Sequence, residues 1–291
     1  MYLKEGQVIP LTFDKMFKKV FGDENDKRPI KYLIKQILDL DVEEIEIYNN
    51  ELLGEKYVDK KNEVDLIFKS DNKDVINIEI NTSFGKTVIN RNLLYLCRVV
   101  SRNLKSKDKY SKLNRHIQIN FNTKDFKKDP FRIYQLINKN NINDVLTDLI
   151  TIYEISIPYY LDICYTNDAR NLSKKEKFIG IIGCREKSIY NKLIGDDDIM
   201  KDIEKKVIDY SLDDEIVGLY DREAYEKEIA EIEKEEAIIK AREKGFQQGI
   251  EQEKREIVKN MLEKKMEINI ISELVGLDVC ELENLQVELG D

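Results

Sequence analysis

Between Glu63 and Asn81 the chain alternates apolar and polar side chains with a period of two. Val64, Leu66, Phe68, Ile76, Ile78 and Ile80 form one set; Glu63, Asp65, Asn77, Glu79 and Asn81 form the other. Successive strand residues point to opposite faces, so the pattern predicts two strands with one apolar and one acidic face. The polar run Ser70 to Asp74 interrupts it and predicts the turn of a hairpin. A fold symmetric about Asn72 sets Asp65 opposite Glu79 and Glu63 opposite Asn81. Opposed Cβ atoms lie ~5 Å apart, where like charges repel. A divalent cation between the two carboxylates removes that repulsion, and such oxygen-rich sites suit magnesium or manganese. A solvated polar face is the plainer reading of the same pattern.

Helical periodicity flanks the hairpin. Phe13, Met16, Phe17, Val20 and Phe21 form a stripe that Thr12 would cap and Gly22 would end. A second helix follows Pro29, with Ile30, Leu33, Ile34, Ile37 and Leu38 on one side. A long helix over about 87–106 would bury Leu93, Leu96, Cys97, Val100 and Leu104. Arg91, Tyr95, Arg98 and Arg102 recur at helical spacing on another of its faces. Strands are predicted at 42–48, 115–122, 131–138 and 147–156, with Ile117, Ile119 and Phe121 pointing inward. In the last, Leu149, Thr151, Tyr153 and Ile155 share one face, and Ile150, Ile152 and Glu154 the other. Helices follow near 174–184, 186–194 and 198–210. The order predicts an α/β (α+β) fold, a mixed central sheet flanked by helices with a helical C-terminal extension.

Charge divides the chain. Residues 211–291 hold 23 acids against 11 bases, whereas 86–128 hold 12 bases against Asp108 and Asp125. A basic segment directly after an acidic hairpin suits a phosphate backbone. The acidic stretch, proline-free from Asp221 to Glu263, predicts a long solvated helix carrying Gly245 and Gly249 four apart. Two short helices around Gly276 end the chain in a helix-turn-helix outline. Residues 278–291 carry no lysine or arginine, so packing or dimerisation is expected there rather than base reading.

Other chemistries are poorly supplied. Cys97, Cys164, Cys184 and Cys280 are scattered and make no zinc spacing with the lone His116. One histidine gives no support to a Ser-His or Cys-His dyad, which leaves proton transfer to carboxylates, lysine or water on a metal. No apolar run reaches the ~18 residues of a membrane span, and no secretory leader is recognisable, so a cytoplasmic protein that avoids membranes is expected.

These fragments, taken in order, resemble the PD-(D/E)XK nuclease family transposases, the recombination-promoting nucleases of Rpn type. Asp14-Lys-Met-Phe-Lys-Lys-Val-Phe-Gly22 is similar to that group's opening helix, and Asn50-Glu-Leu-Leu53 to its segment before the hairpin. Lys61-Asn-Glu-Val-Asp65 resembles its Lys…Asp strand start, and Asn77-Ile-Glu-Ile-Asn81 its Glu-x-Gln strand. Arg91-Asn-Leu-Leu-Tyr95 matches the arginine and tyrosine of the next helix. The charged tail with spaced glycines is similar as well. The resemblance implies a restriction-endonuclease-like core and metal-dependent cleavage of DNA in a mobile-element or defence setting. It implies that Asp65 and Glu79, with the Ile80 carbonyl, ligate Mg2+ (or Mn2+), with Asp14 as an outer carboxylate. Arg91 and Tyr95 would orient phosphate, with Arg98 and Arg102 further along the same face.

The chain departs from that pattern at Asn81, where the wider superfamily has lysine and this branch glutamine. Asparagine lacks lysine's charge and is shorter than glutamine by ~1.5 Å. Either Asn81 still positions water, or a lysine such as Lys61 or Lys86 enters, or activity is weak or lost. The sequence thus divides into a nuclease-like core over 1–160, a helical elaboration over 161–215 and a charged helical tail over 216–291. Three functions stand: a magnesium-dependent DNA endonuclease, a nuclease fold that binds nucleic acid without cutting it, and an interaction protein. Homodimerisation through the C-terminal helices is expected.

Overall fold

The computed structural model describes residues 3–48, 66–102, 109–124 and 129–289. Six strands form one sheet: β1 (Ile45–Tyr48), β2 (Leu66–Ser70), β3 (Val75–Asn81), β4 (His116–Asn122), β5 (Phe131–Asn138) and β6 (Asn141–Ser156). Their order is β1-β2-β3-β4-β6-β5. β3, β4 and β6 run parallel, while β1, β2 and β5 add antiparallel margins. Parallel neighbours need a crossover, and helix α3 (Lys86–Arg102) supplies it between β3 and β4. This is the mixed sheet flanked by helices that the sequence predicts.

One face of the sheet carries the main core. Phe68, Ile76, Ile78, Ile119, Phe121 and Ile155 are fully buried against α1 (Asp14–Phe21) and α2 (Arg28–Leu38). Each such side chain contributes ~1.5–3 kcal/mol by leaving water. The stripe on α1 packs as predicted, with the rings of Phe17 and Phe121 6.4 Å apart. Thr12 does not cap that helix: Phe13 occupies the N-cap position, and no side chain caps it. The burial of Phe13 fixes the entry of the chain instead.

Helices α4 (Ile157–Thr166), α5 (Lys174–Gly183), α6 (Lys187–Ile194) and α7 (Asp198–Tyr210) share this core. A capping box starts α5, where Ser173 Oγ accepts from the Glu176 amide and Glu176 Oε2 from the Ser173 amide. Gly180 lets α5 approach α4 closely; a Cβ there would lie 2.4 Å from Cys164 Sγ.

The chain splits into two compact units, Met1–Asp221 and Arg222–Asp291. Helix α8 (Asp214–Glu263) is charge-dense and exposed along most of its second-unit length. Its end forms a small core with α9 (Ile268–Val275) and α10 (Val279–Leu289) around Val258, Ile271 and Leu282. Gly276 closes α9 in the left-handed region at φ 66°, the turn expected of the helix pair. Gly245 and Gly249 lie inside α8 with open space where a Cβ would stand. Alanine at either position should therefore stabilise the helix by up to ~1 kcal/mol, raising its thermal unfolding midpoint. If both substitutions instead dissociate the protein in sedimentation, the glycines serve a close helix contact.

Candidate functional site

The turn between β2 and β3 sets the site's register. The amide of Asp74 donates to Ser70 Oγ, and Lys73 adopts φ 66° at the bend. Leu66 then pairs with Ile78, Ile67 with Asn77 and Phe68 with Ile76. This is the predicted fold about Asn72. Glu63, Asp65 and Lys61 lie outside the described residues. The far end of the turn is pinned to β4 by a bidentate ion pair. Arg115 donates through Nε and Nη2 to the Asp74 carboxylate, at 3.1 and 2.5 Å.

The polar face of the hairpin is not a solvated one. Asn77, Glu79 and Asn81 are buried beneath α3, Glu79 at 3% exposure. The helix turns Asn92, Tyr95, Leu96 and Val99 toward the sheet. Of the expected buried stripe, Leu96 alone is buried among the described residues; Leu93 and Cys97 are exposed, and Val100 is half-buried. Leu104 lies outside the described residues. The reason is the chemistry of the sheet. Buried amides on β3 and β4 need hydrogen-bond partners, and Asn92 supplies them where leucine could not.

Those amides form one directed row, and Glu154 on β6 anchors it. A carboxylate only accepts, so both asparagines beside it must present N–H. Asn120 Nδ2 donates to Glu154 Oε1 and Asn122 Nδ2 to Glu154 Oε2, both at 2.8 Å. Asn122 Oδ1 is thereby turned outward and accepts from Asn81 Nδ2 at 3.1 Å. Asn81 Oδ1 in turn accepts from Arg91 Nη2 at 2.7 Å and from Asn92 Nδ2 at 3.3 Å. Asn120 Oδ1 accepts from Asn92 Nδ2 and Gln118 Nε2. The row thus runs from the buried carboxyl of Glu154 to the guanidinium of Arg91, whose side chain also reaches solvent.

Arg91 lies over the ring of Tyr95, 5.9 Å from its centroid. Burial pushes the Tyr95 phenol upward, the charge of Glu79 adds to the shift, and Arg91 and Arg98 oppose it. Glu79, Tyr95, Arg91 and Arg98 are therefore electrostatic neighbours. Arg98 is exposed, as is Lys86 at the start of α3. Arg102 is the last described residue of that helix. Asp14 sits on α1, on the opposite face of the sheet, and pairs with Lys18 at 3.0 Å. The sequence reading missed Gln118, Asn120, Asn122 and the anchoring role of Glu154. Their signal was amides at alternate positions in a β-branched strand.

A family model described as PD-(D/E)XK nuclease family transposase matches residues 11–235. The chain belongs to this family. No curated protein and no solved structure matches it. The mixed sheet with its β3–α3–β4 crossover is consistent with a PD-(D/E)XK core, the restriction-endonuclease-like fold. Among the described residues, no group of three or more His, Cys, Asp and Glu side chains could hold a metal ion. No described helix is long and apolar enough to cross a membrane. The donors beside Glu79 are oxygens of the kind a hard cation takes. Asn77 Oδ1 and Gln118 Oε1 are buried on this polar face and make no hydrogen bond among the described residues. The described set offers one carboxylate and neutral amides, so a magnesium site fits only if Asp65 completes it.

Proposed function

We propose that this PD-(D/E)XK protein binds nucleic acid on the α3 side of its sheet, with phosphodiester hydrolysis weakened at Asn81. The carrying observation is that Asn81 is engaged at both ends of its amide, toward Asn122 and toward Arg91. An amide held this way does not move to activate water, and it brings no charge. Arg91 and Arg98 are exposed cations that would meet phosphate, and Arg102 continues their spacing in the sequence. Tyr95 keeps its proton and offers a neutral phenol beside them. A divalent ion, magnesium or manganese, would be held by Asp65, Glu79 and the Ile80 carbonyl. When bound, it supplies a Lewis acid that neutralises phosphate charge and lowers the pKa of water. Lys61 is the proposed second cation. Asp14, committed to Lys18 on the other face, is left out of the set.

A full-strength DNA endonuclease is the second reading, and one distance favours it. The Arg91 guanidinium stands 2.7 Å from Asn81 Oδ1 and supplies positive charge where the wider superfamily carries lysine. The order of the sequence fragments supports placing the chain with the recombination-promoting nucleases, active on mobile DNA. Self-association through the exposed Ile229, Ile232, Ile238, Ile239 and Phe246 of α8 is the reading that remains if no other surface of the chain pairs two copies.

One set of assays separates these readings. Plasmid is incubated with the protein and magnesium or manganese, then with Asp65→Ala, Glu79→Ala and Arg91→Ala. Under the leading reading, duplex affinity falls steeply with salt, Arg91→Ala lowers the salt slope by about one, and nicking is slow. Fast metal-dependent nicking that both carboxylate variants abolish selects the endonuclease. Equal cutting by all four proteins points to a contaminant and removes the site assignment. Loss of salt-dependent binding altogether removes the nucleic-acid reading.

A further inference from the structure

The β5–β6 hairpin carries a surface that the proposed site does not use. Seven large side chains are exposed there: Ile133, Tyr134, Leu136, Ile137, Ile142, Val145 and Leu146. They occupy both faces. Ile133 opposes Tyr153 in the ladder, and its neighbour Tyr134 opposes Ile152. A two-stranded ribbon of this composition is at best marginally stable in water on its own. β5 is also an edge strand of the sheet. Edges are usually blunted by lysine or proline, but within Phe131–Asn138 Arg132 is the sole charged residue and proline is absent. Register shifts between Gln135 and Asn138 interrupt the ladder in the outer part of the ribbon, where the apolar side chains are exposed.

We infer that this hairpin is the surface through which two copies of the chain associate. Charge and area select that occupant. Residues 131–151 hold Arg132 and Lys139 against Asp144 and Asp148. A neutral apolar ribbon does not attract a polyanion, and it offers no charge to a basic or acidic partner. A second copy of itself is neutral and apolar in the same places. The seven side chains expose on the order of 700 Å2 over the two faces together, so pairing of the β5 edges, which brings both faces of each ribbon against its partner, is the arrangement that approaches the roughly 800 Å2 per partner of a standard stable interface. A two-fold axis beside β5 lets each ribbon cover the other with the same residues, which closes the assembly at two copies through this surface.

The test is sedimentation of the full chain at micromolar concentration, beside an Ile142→Asp/Leu146→Asp double variant. Both positions are 72% or more exposed, so the fold is retained, and far-UV dichroism with a melting curve verifies that. Tyr134→Lys is the second variant, placed in the regular part of β5. The expected result is a mass halved by either change, with the dissociation constant raised ~100-fold or more. An unchanged mass in both variants overturns the inference and assigns self-association to another surface. A single-chain mass for the unaltered protein at tens of micromolar overturns it too. So does a loss of duplex binding in the variants without a change of mass, which makes nucleic acid the occupant.

Discussion

Replacing Glu154 by glutamine is expected to lower the unfolding free energy by about 2 kcal/mol and to weaken binding at Arg91, at the other end of the row. The carboxylate accepts from two asparagines at once. Glutamine can accept from one and must present an N–H to the other. If Asn122 turns to meet it, the Asn122 amide faces Asn81 donor to donor. Asn81 must then turn as well, which places its N–H against the Arg91 guanidinium. If Asn120 turns instead, the conflict falls on Asn92 and Gln118. Either way the disturbance travels, because each amide has fixed the next. Urea unfolding and a duplex titration on the same variant measure both effects. Unchanged values in both would mean that Glu154 does not set the row.

The same residue gives a pH dependence of defined sign. Burial raises the Glu154 carboxyl above the ordinary glutamate range, and the hydrogen bonds from Asn122 and Asn120 only partly oppose the shift. The folded protein therefore keeps that proton to higher pH than the unfolded chain does. Folding stability falls as pH climbs from the ordinary glutamate value through the raised one, and the loss is absent below that window. Glutamine at this position removes the slope, so the gap between the two proteins changes across the window.

Arg115→Ala is expected to cost about 3 kcal/mol, seen as a lower denaturant midpoint with an unchanged slope. Asp74 has only 10% of its side chain exposed, and removing its bidentate partner leaves a buried carboxylate uncompensated. Arg115 is about a third exposed, so water entering the vacated space keeps the cost at the low end for such pairs. The loss is concentrated where it matters to the site. Asp74 ends the β2–β3 turn, and the Val75 amide bonds the Arg115 carbonyl at 2.8 Å, so the pair joins the hairpin to β4. A melting midpoint equal to the unaltered protein's would show that the main-chain ladder alone holds that junction.

The hairpin was legible because three signals agreed: a period of two, a polar turn and equal arms about Asn72. The stripe on α1 was legible because its apolar residues had a matching sheet face to meet. The orientation of α3 was not legible. Leu93, Leu94, Leu96 and Cys97 outnumber Asn92 on any hydrophobic criterion, yet the sheet beneath carries Asn81, Asn120 and Asn122. Which helix face turns inward depended on another segment's unmet hydrogen bonds, which periodicity within one helix does not register. The anchoring role of Glu154 was not legible for a related reason. Its role exists only across three strands, and its asparagine partners lie more than 30 residues away in sequence. The strand from Arg115 to Asn122 showed its inward Ile117, Ile119 and Phe121 readily; the alternate amides carry no apolar signal, yet seven of seven residues of β4 are buried.

The place of β4 also orders the birth of the protein. Its two parallel neighbours lie on opposite sides of it in sequence, β3 before and β6 after. During synthesis, β4 can dock on β3 as soon as α3 has crossed over. Its other margin, with the side chains of Asn120 and Asn122 bare, must wait until Glu154 has left the ribosome. For about 30 residues, a few seconds at ordinary elongation rates, the nascent sheet ends in an unpaired strand edge with a polar, unfilled row.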